Sequence, residues 1–392
     1  MKSTYPFFSA SRLYQSLESR GGAILKSKGQ NFLIDPNAVR LIAQGVLSML
    51  PSALVDVLDE ALSSDINQTT GNRKKPSSQR FPGTEIPGSS PGNFDSAQLT
   101  GEGSAEEPGP KTVELLEIGP GTGALSFYLW EALRTLASRF PEVQFRWKGL
   151  ELDPVLCAIL WEETMPAFVS SGGLTSDKST TVSVDWRSEN DRTWLFSSPA
   201  NLELKLMRTD ARDWLKSHIE EYSKQDGSDF RIVCGNLPYY ISTELLLGAI
   251  QLRPRGCAFL VQREYALRIL ETRKSSSISV FVRNLMEPRK GASIAKGCFL
   301  PPPSVESSVL LLERGPIHCD PDLLESVLRS SFSGKRKTLR NSWKNSVSDE
   351  SLLQDWEQSA GGIGLDLSSR AEDLKPETFY SLVQKLEELR KD

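Results

Sequence analysis

The chain has 392 residues, 39% hydrophobic and 24% charged, which supports one large packed domain plus a smaller one and excludes a disordered or fibrous chain. Its five cysteines (Cys157, Cys234, Cys257, Cys298 and Cys319) lack metal-ligand spacing, and two histidines, His218 and His318, argue against a histidine-based metal site or triad. No metal and a reduced, cytoplasmic setting are expected. No apolar run reaches about 18 residues, so no membrane span is expected, and a net charge of −4 does not by itself mark a nucleic-acid binder.

In chain order, residues 1–28 read as a polar, poorly ordered N-terminal arm with scattered aromatics. It lacks the apolar core of a secretion signal, while Arg12, Arg20 and several serines leave an organellar transit peptide as a second option. Asp35 or Pro36 opens a helix whose apolar face is Val39, Leu41, Ile42, Val46, Leu47 and Leu50. Residues 63–111 are rich in Ser, Gly, Pro, Thr and Asn and read as a flexible insertion. A shorter polar stretch, about 170–200, contains Trp186 and Trp194 and has the means to fold back locally.

Between and after these insertions, short apolar runs alternate with helical patterns. Strands are predicted at Val113–Ile118, Trp147–Leu152, Glu203–Arg208, Arg231–Cys234 and Cys257–Val261. Helices are predicted at Ala124–Phe140, after the second strand through Glu163, and from Ala211 to about Lys224. Ala295–Phe299 and Ser307–Leu312 read as a closing strand pair, and the pattern after Arg314 is helical. The expectation is an α/β, Rossmann-like domain with a mostly parallel sheet over residues 29–314, followed by a small α-helical domain over 315–392. From Ser326 to Ser348 the charged residues are all basic (Arg329, Lys335, Arg336, Lys337, Arg340 and Lys344). That stripe is either a phosphate-contact surface or a solvated helix face.

In an open parallel sheet, ligands bind beyond the carboxyl ends of the strands. The first strand runs into Gly119-Pro120-Gly121-Thr122-Gly123, preceded by Glu117, where glycines let a ligand approach the backbone. The second ends in Glu151-Leu152-Asp153, whose acid can accept ribose hydroxyls; the third ends in Thr209-Asp210-Ala211, whose acid can accept from an adenine amine. Each acid alone could be a helix cap. Three successive strand ends together offer the elements of an adenosine-methionine site. The fourth strand ends in Asn236-Leu237-Pro238-Tyr239-Tyr240. The Asn236 side-chain oxygen and the Leu237 carbonyl could accept from an adenine amine and aim its lone pair, with Tyr239 as a stacking face; a strand-to-helix turn with an Asn cap is the bland alternative.

At these residues the chain resembles the ribosomal RNA adenine dimethyltransferases of the KsgA type. The likeness extends to Gly29-Gln30-Asn31-Phe32-Leu33, Glu117 to Gly121, Gln262-Arg263-Glu264, Phe299 to Ser307, and Lys335-Arg336-Lys337-Thr338-Leu339-Arg340-Asn341. Tyr240, Ser304, and the Ser275–Ser276 pair depart from the family pattern. The resemblance implies a class I methyltransferase fold using S-adenosyl-L-methionine to dimethylate two adjacent adenines near the 3′ end of small-subunit rRNA. It implies that Asn31, Leu33, Gly119, Gly121, Glu151, Asp210 and Asn236 bind the cofactor, and that Asn236, Leu237, Pro238 and Tyr239 form the catalytic tetrad. Phe299, Lys335, Arg336, Lys337 and Arg340 would meet RNA. The expected partner is small-subunit rRNA or the pre-ribosomal small subunit, with the chain a monomer. Alternatives are a large-subunit rRNA adenine methyltransferase of the antibiotic-resistance type, a DNA adenine methyltransferase, and a ribosome assembly or transcription factor built on the same fold.

Overall fold

A computed structural model describes residues 5–25, 29–69, 110–171, 192–198, 201–223, 229–334 and 336–390. Ten strands are described: β1 (Phe32–Leu33), β2 (Thr112–Ile118), β3 (Gln144–Glu151), β4 (Thr193–Ser198), β5 (Leu202–Arg208), β6 (Asp229–Asn236), β7 (Gly256–Gln262), β8 (Met286–Ile294), β9 (Phe299–Leu300) and β10 (Ser307–Arg314). Eight form one sheet in the order β4-β5-β3-β2-β6-β7-β10-β8. Strands β5, β3, β2, β6 and β7 are parallel, β4 and β10 run against them, and the edge strand β8, antiparallel to β10, runs in their direction. This is the expected mostly parallel sheet of an α/β, Rossmann-like domain.

The central strands form because their side chains are buried on both faces. In β2, Val113 and Leu115 join the core under helices Pro36–Leu47 and Ala124–Arg139, while Leu116 and Ile118 join the core on the other face. Asp35 caps the first of these helices by accepting from the Ala38 N–H at 2.8 Å, with Pro36 at its first turn, as the sequence predicts.

The expectation of a poorly ordered arm is overturned over residues 5–25, and the remainder of 1–28 lies outside the described residues. Ser9 caps a helix, Ala10–Glu18, and Tyr5, Phe7, Leu13 and Leu17 are buried. Burying a large apolar side chain is worth about 1.5–3 kcal/mol, and these four draw the arm onto the core. Arg20 fixes the docking through Glu163 at 2.7 Å and Glu162 at 3.0 Å. Helix Ser52–Thr69 likewise continues into the expected 63–111 insertion, of which residues 70–109 lie outside the described residues.

The 170–200 stretch contributes a strand. In β4, Phe196 is fully buried, and Trp194, two residues earlier on the same face, packs against the same core; β4 pairs antiparallel with β5. Trp186 lies outside the described residues.

Ala295–Phe299 is not the partner of the last strand. That partner is β8, whose Met286 to Ile294 pair with Arg314 to Ser307, whereas β9 pairs with β1. Pro288, Gly291 and the charges of β8 hide it in sequence, and an edge strand tolerates them.

Past β10 the chain is helical at Pro321–Ser331, Leu339–Ser346, Glu350–Gly362 and Pro376–Leu389. Their apolar residues share a core with Leu116, Val233, Phe259 and helix Ser277–Leu285. Asn284, fully buried, donates to the Cys319 carbonyl and accepts from the Cys319 N–H, both at 3.0 Å, at the root of this segment. Among the described residues, no helix is long and apolar enough to cross a membrane.

Candidate active site

A cavity of about 200 Å³ opens at the carboxyl ends of β2, β3, β5 and β6. All seven residues expected at the cofactor line it: Asn31, Leu33, Gly119, Gly121, Glu151, Asp210 and Asn236. Gly119, Gly121 and Gly123 have φ of 63°, 60° and 87°. This left-handed backbone suits glycine and turns the Gly121 N–H onto Glu151 Oε2 at 2.9 Å. Glu151 Oε1 accepts from the Asp153 N–H at 2.9 Å. Burial pushes the Glu151 carboxyl upward, against the pull of these two backbone donors.

Glu117 also lines the cavity and is 2% exposed. Its Oε2 accepts from Ser126 Oγ and Trp147 Nε1, each at 2.8 Å. Burial raises its pKa to about 7, and the neighbouring Glu151 adds to the rise. Two buried carboxyls thus face one cavity, and among the described residues neither has an ion-pair partner.

Asp210 is differently placed. Both its oxygens are held by Arg212, Oδ1 by Nε at 3.1 Å and Oδ2 by a terminal nitrogen at 2.7 Å. The Arg212 guanidinium lowers its pKa, so it stays ionised at the cavity wall.

Asn236 stands at the last position of β6, in the same cavity as Gly119, Glu151 and Asp210. Its Nδ2 donates to the Asn31 carbonyl at 3.1 Å. That bond assigns the amide and leaves Oδ1 as an acceptor. The preceding residue must be glycine: a Cβ on Gly235, whose φ is 157°, would stand 2.3 Å from the Ile118 carbonyl oxygen. The strap Gly29–Leu33 crosses the cavity, with Gln30 Nε2 reaching Asp153 Oδ2 at 3.4 Å on one wall and Gly29 packing on Tyr240 at the other.

The rest of the tetrad spreads out. Pro238 lines the cavity, and Leu237 is buried with its N–H on the Leu260 carbonyl. The half-buried Tyr239 ring is anchored by its hydroxyl to Ser307 Oγ at 2.6 Å and does not line the cavity. Tyr240, 65% exposed, does.

Phe299 departs from expectation. Its ring is 2% exposed, packed in the core where β9 pairs with β1, and offers no face to a nucleic acid. Arg336, Lys337 and Arg340 are exposed, and Lys335 lies outside the described residues. The expected Gln262-Arg263-Glu264 and proline-rich segments meet, with Arg263 bound to Glu306 at 2.7 Å. His218 stacks on Trp214 and His318 on Tyr380, in structural roles.

Sequence reasoning missed the brace behind the glycine loop. Tyr5 Oη and Thr122 Oγ1 are 2.6 Å apart in the core, and Thr164 Oγ1 donates to the Thr122 carbonyl at 2.7 Å. Thr164 closes a π-helical turn, Leu160–Thr164, that interrupts the helix predicted through Glu163. Residues 117 positions apart gave no local signal. Arg212, two residues after Asp210, was missed as well, though it holds that acid and lines the cavity.

The profile of the ribosomal RNA adenine dimethylase family matches residues 192–388, half of the chain. Ribosomal RNA small subunit methyltransferase A of Mycoplasmoides gallisepticum is 28% identical over 279 residues, covering 70% of this chain and 83% of that protein. The protein of the same name from Lachnoclostridium phytofermentans is 25% identical over 286 residues, covering 71% and 83%. A dimethyladenosine transferase structure from Plasmodium falciparum aligns with a TM-score of 0.46 at 19% identity, over 71% of this chain and 92% of that one. With its sheet carrying the matched segment from β4 to the last helix, the chain belongs to the ribosomal RNA adenine dimethylase family.

Proposed function

We propose that the chain uses S-adenosyl-L-methionine to dimethylate the N6 amines of two adjacent adenines near the 3′ end of small-subunit rRNA. The carrying observation is the Asn236 amide, whose Nδ2 is committed to the Asn31 carbonyl so that Oδ1 remains an acceptor on the rim of an acidic cavity. The cavity suits the cofactor chemically. Glu117 and Glu151 favour a cationic, hydroxyl-bearing ligand, the glycine loop allows close approach, and Asp210 suits an adenine amine. When bound, the cofactor supplies an electrophilic methyl group on a sulfonium.

The adenine amine is a weak nucleophile because its lone pair is delocalised into the ring. Asn236 Oδ1 and the Leu237 carbonyl would accept its two hydrogens and direct the lone pair at the methyl carbon. Asn236 and Leu237 would hold the nitrogen in line with the methyl group that the bound cofactor supplies, and the proton released from the alkylated amine would pass to solvent. No basic side chain is needed before attack. Tyr239, held by Ser307, and the exposed Tyr240 supply aromatic faces near the acceptor loop. The 315–392 segment would hold folded RNA by phosphate contacts through Lys335, Arg336, Lys337 and Arg340, which position rather than specify.

Asn236→Ala tests the reading. Methyl transfer to small subunits lacking the modification should fall at least 10²-fold, roughly the cost of a misaligned acceptor, while S-adenosylhomocysteine affinity by calorimetry changes only a few-fold. Unchanged methylation would remove the assignment. Mapping the product by mass spectrometry distinguishes small-subunit from large-subunit adenines.

A further inference from the structure

At the amino ends of the central strands, opposite the cavity, arginines line up across the sheet. The Arg255 N–H donates to the Arg231 carbonyl at 2.8 Å, and the Arg314 N–H to the Arg255 carbonyl at 3.0 Å. Three arginines therefore occupy neighbouring positions on adjacent chain segments, an arrangement that is repulsive in the absence of a counter-charge. Arg231 is buried and bound to Glu114 at 2.7 Å, but Arg255 and Arg314 are exposed.

A fourth arginine completes the edge. Arg253 has φ of 53°, a left-handed backbone that costs a non-glycine residue about 1 kcal/mol or more. Its guanidinium donates to the Leu285 carbonyl at 3.2 Å and the Gly315 carbonyl at 3.3 Å, which fixes the residue following Arg314. Arg314 Nε donates to the Pro254 carbonyl at 3.0 Å. Backbone acceptors thus position the Arg253 and Arg314 guanidiniums, and that of Arg255 lies over the Phe230 ring, 6.0 Å from its centroid. Among the described residues, none of Arg253, Arg255 and Arg314 forms an ion pair. The nearby Glu313 is taken by Arg289, and Glu287, beside Gly315, pairs with none of them. Burial first, then the charges of Arg255, Arg253 and Arg231, draws the Arg314 pKa down to about 10, as expected for crowded positive charge.

We propose that Arg253, Arg255 and Arg314 form an anion-binding edge that grips the phosphate backbone of the structured RNA substrate. The inference rests on the function proposed above. Arg231 precedes Asn236 by five residues of extended strand, roughly 17 Å at about 3.3 Å per residue. The edge would therefore hold RNA remote from the reacting adenine. Planar guanidinium forks suit phosphate oxygens, and fixed ones lose little entropy on binding. The edge leads directly into the helical segment that carries Arg336, Lys337 and Arg340.

The test is the double variant Arg255→Gln/Arg314→Gln, compared with Arg12→Gln/Arg40→Gln, which removes equal charge elsewhere. An in vitro transcript of the 3′ region of small-subunit rRNA is titrated at several salt concentrations. The slope of log K against log salt should fall by about 1.4–1.8, at roughly 0.7–0.9 per lost phosphate contact, and by less than half as much in the control. S-adenosylhomocysteine affinity and the thermal midpoint should hold in both. A wild-type slope in the folded double variant overturns the proposal. Should the wild-type protein fail to bind the transcript, the proposed substrate fails, and heparin retention decides the edge by itself. Earlier elution of the double variant than of the control supports it, and equal elution overturns it. An unchanged RNA slope with lost binding to polyglutamate would overturn it in favour of an acidic protein partner.

Discussion

Strand β2 carries two buried glutamates with opposite fates. Glu114, near its amino end, is 3% exposed and clasped by Lys148 and Arg231, each at 2.7 Å. Burial would raise its pKa, but the two cations outweigh burial and hold it below the ordinary carboxylate value. Glu117, one turn of the pleat later on the opposite face, is 2% exposed and has only the Ser126 and Trp147 donors, so burial prevails and its pKa rises to about 7. The amino end of the strand neutralises its charge within the fold. At the carboxyl end, among the described residues, no cation pairs with the Glu117 carboxyl at the cavity wall, and under the proposed function a cationic ligand would neutralise it. That is how a site differs from a structural ion pair: one is complete in the free protein, the other is not.

The sharpest way to break this contrast is Glu114→Ala. It strands Lys148 and Arg231 in a buried setting and should cost about 3–5 kcal/mol in urea unfolding. A loss under about 1 kcal/mol would mean that water reaches the cluster and the contrast is false.

Next in size is the pH dependence of Glu117. Its folded pKa exceeds the unfolded value, so its contribution is full below about pH 4.5 and is lost as pH rises through 7. The change is roughly 3 kcal/mol, with Glu151 adding to the same trend. Urea unfolding of the ligand-free protein between pH 4.5 and 8 should show it, and Glu117→Gln should flatten that part of the curve. Parallel curves for the two proteins would refute the assigned pKa.

The smallest effect concerns the brace. Tyr5→Phe leaves Thr122 Oγ1 without its buried partner, at a cost of about 1 kcal/mol. Because Thr122 sits inside the glycine loop, KM for the cofactor should rise several-fold while kcat changes less. A stability loss with unaltered KM would make Tyr5 a packing residue only.

The parallel strands were legible because each is a short, largely apolar or alternating run between turn residues, and their tips were legible because glycine, acid and amide recur there. Other elements left no such trace. Strand β8 has a proline, a glycine and three charged residues, and becomes a strand only by pairing with β10. Strand β4 lies in a polar stretch and is read from Trp194 and Phe196 only once β5 is beside it. Phe299 looked available to RNA, but the short β1–β9 pairing draws it into the core.

Sequence alone determined the sheet class and the residues at its carboxyl ends, because local patterning dictates which strands are doubly buried and where turns must open. Tertiary structure decided everything that depends on distant segments meeting: the docked arm behind Thr122, the assignment of the Asn236 amide through Asn31, the neutralised Glu114, and the arginine edge. Hydrogen bonds and charge interactions act over a few ångströms in space, and separations of 100 residues or more along the chain carry no local signature of them.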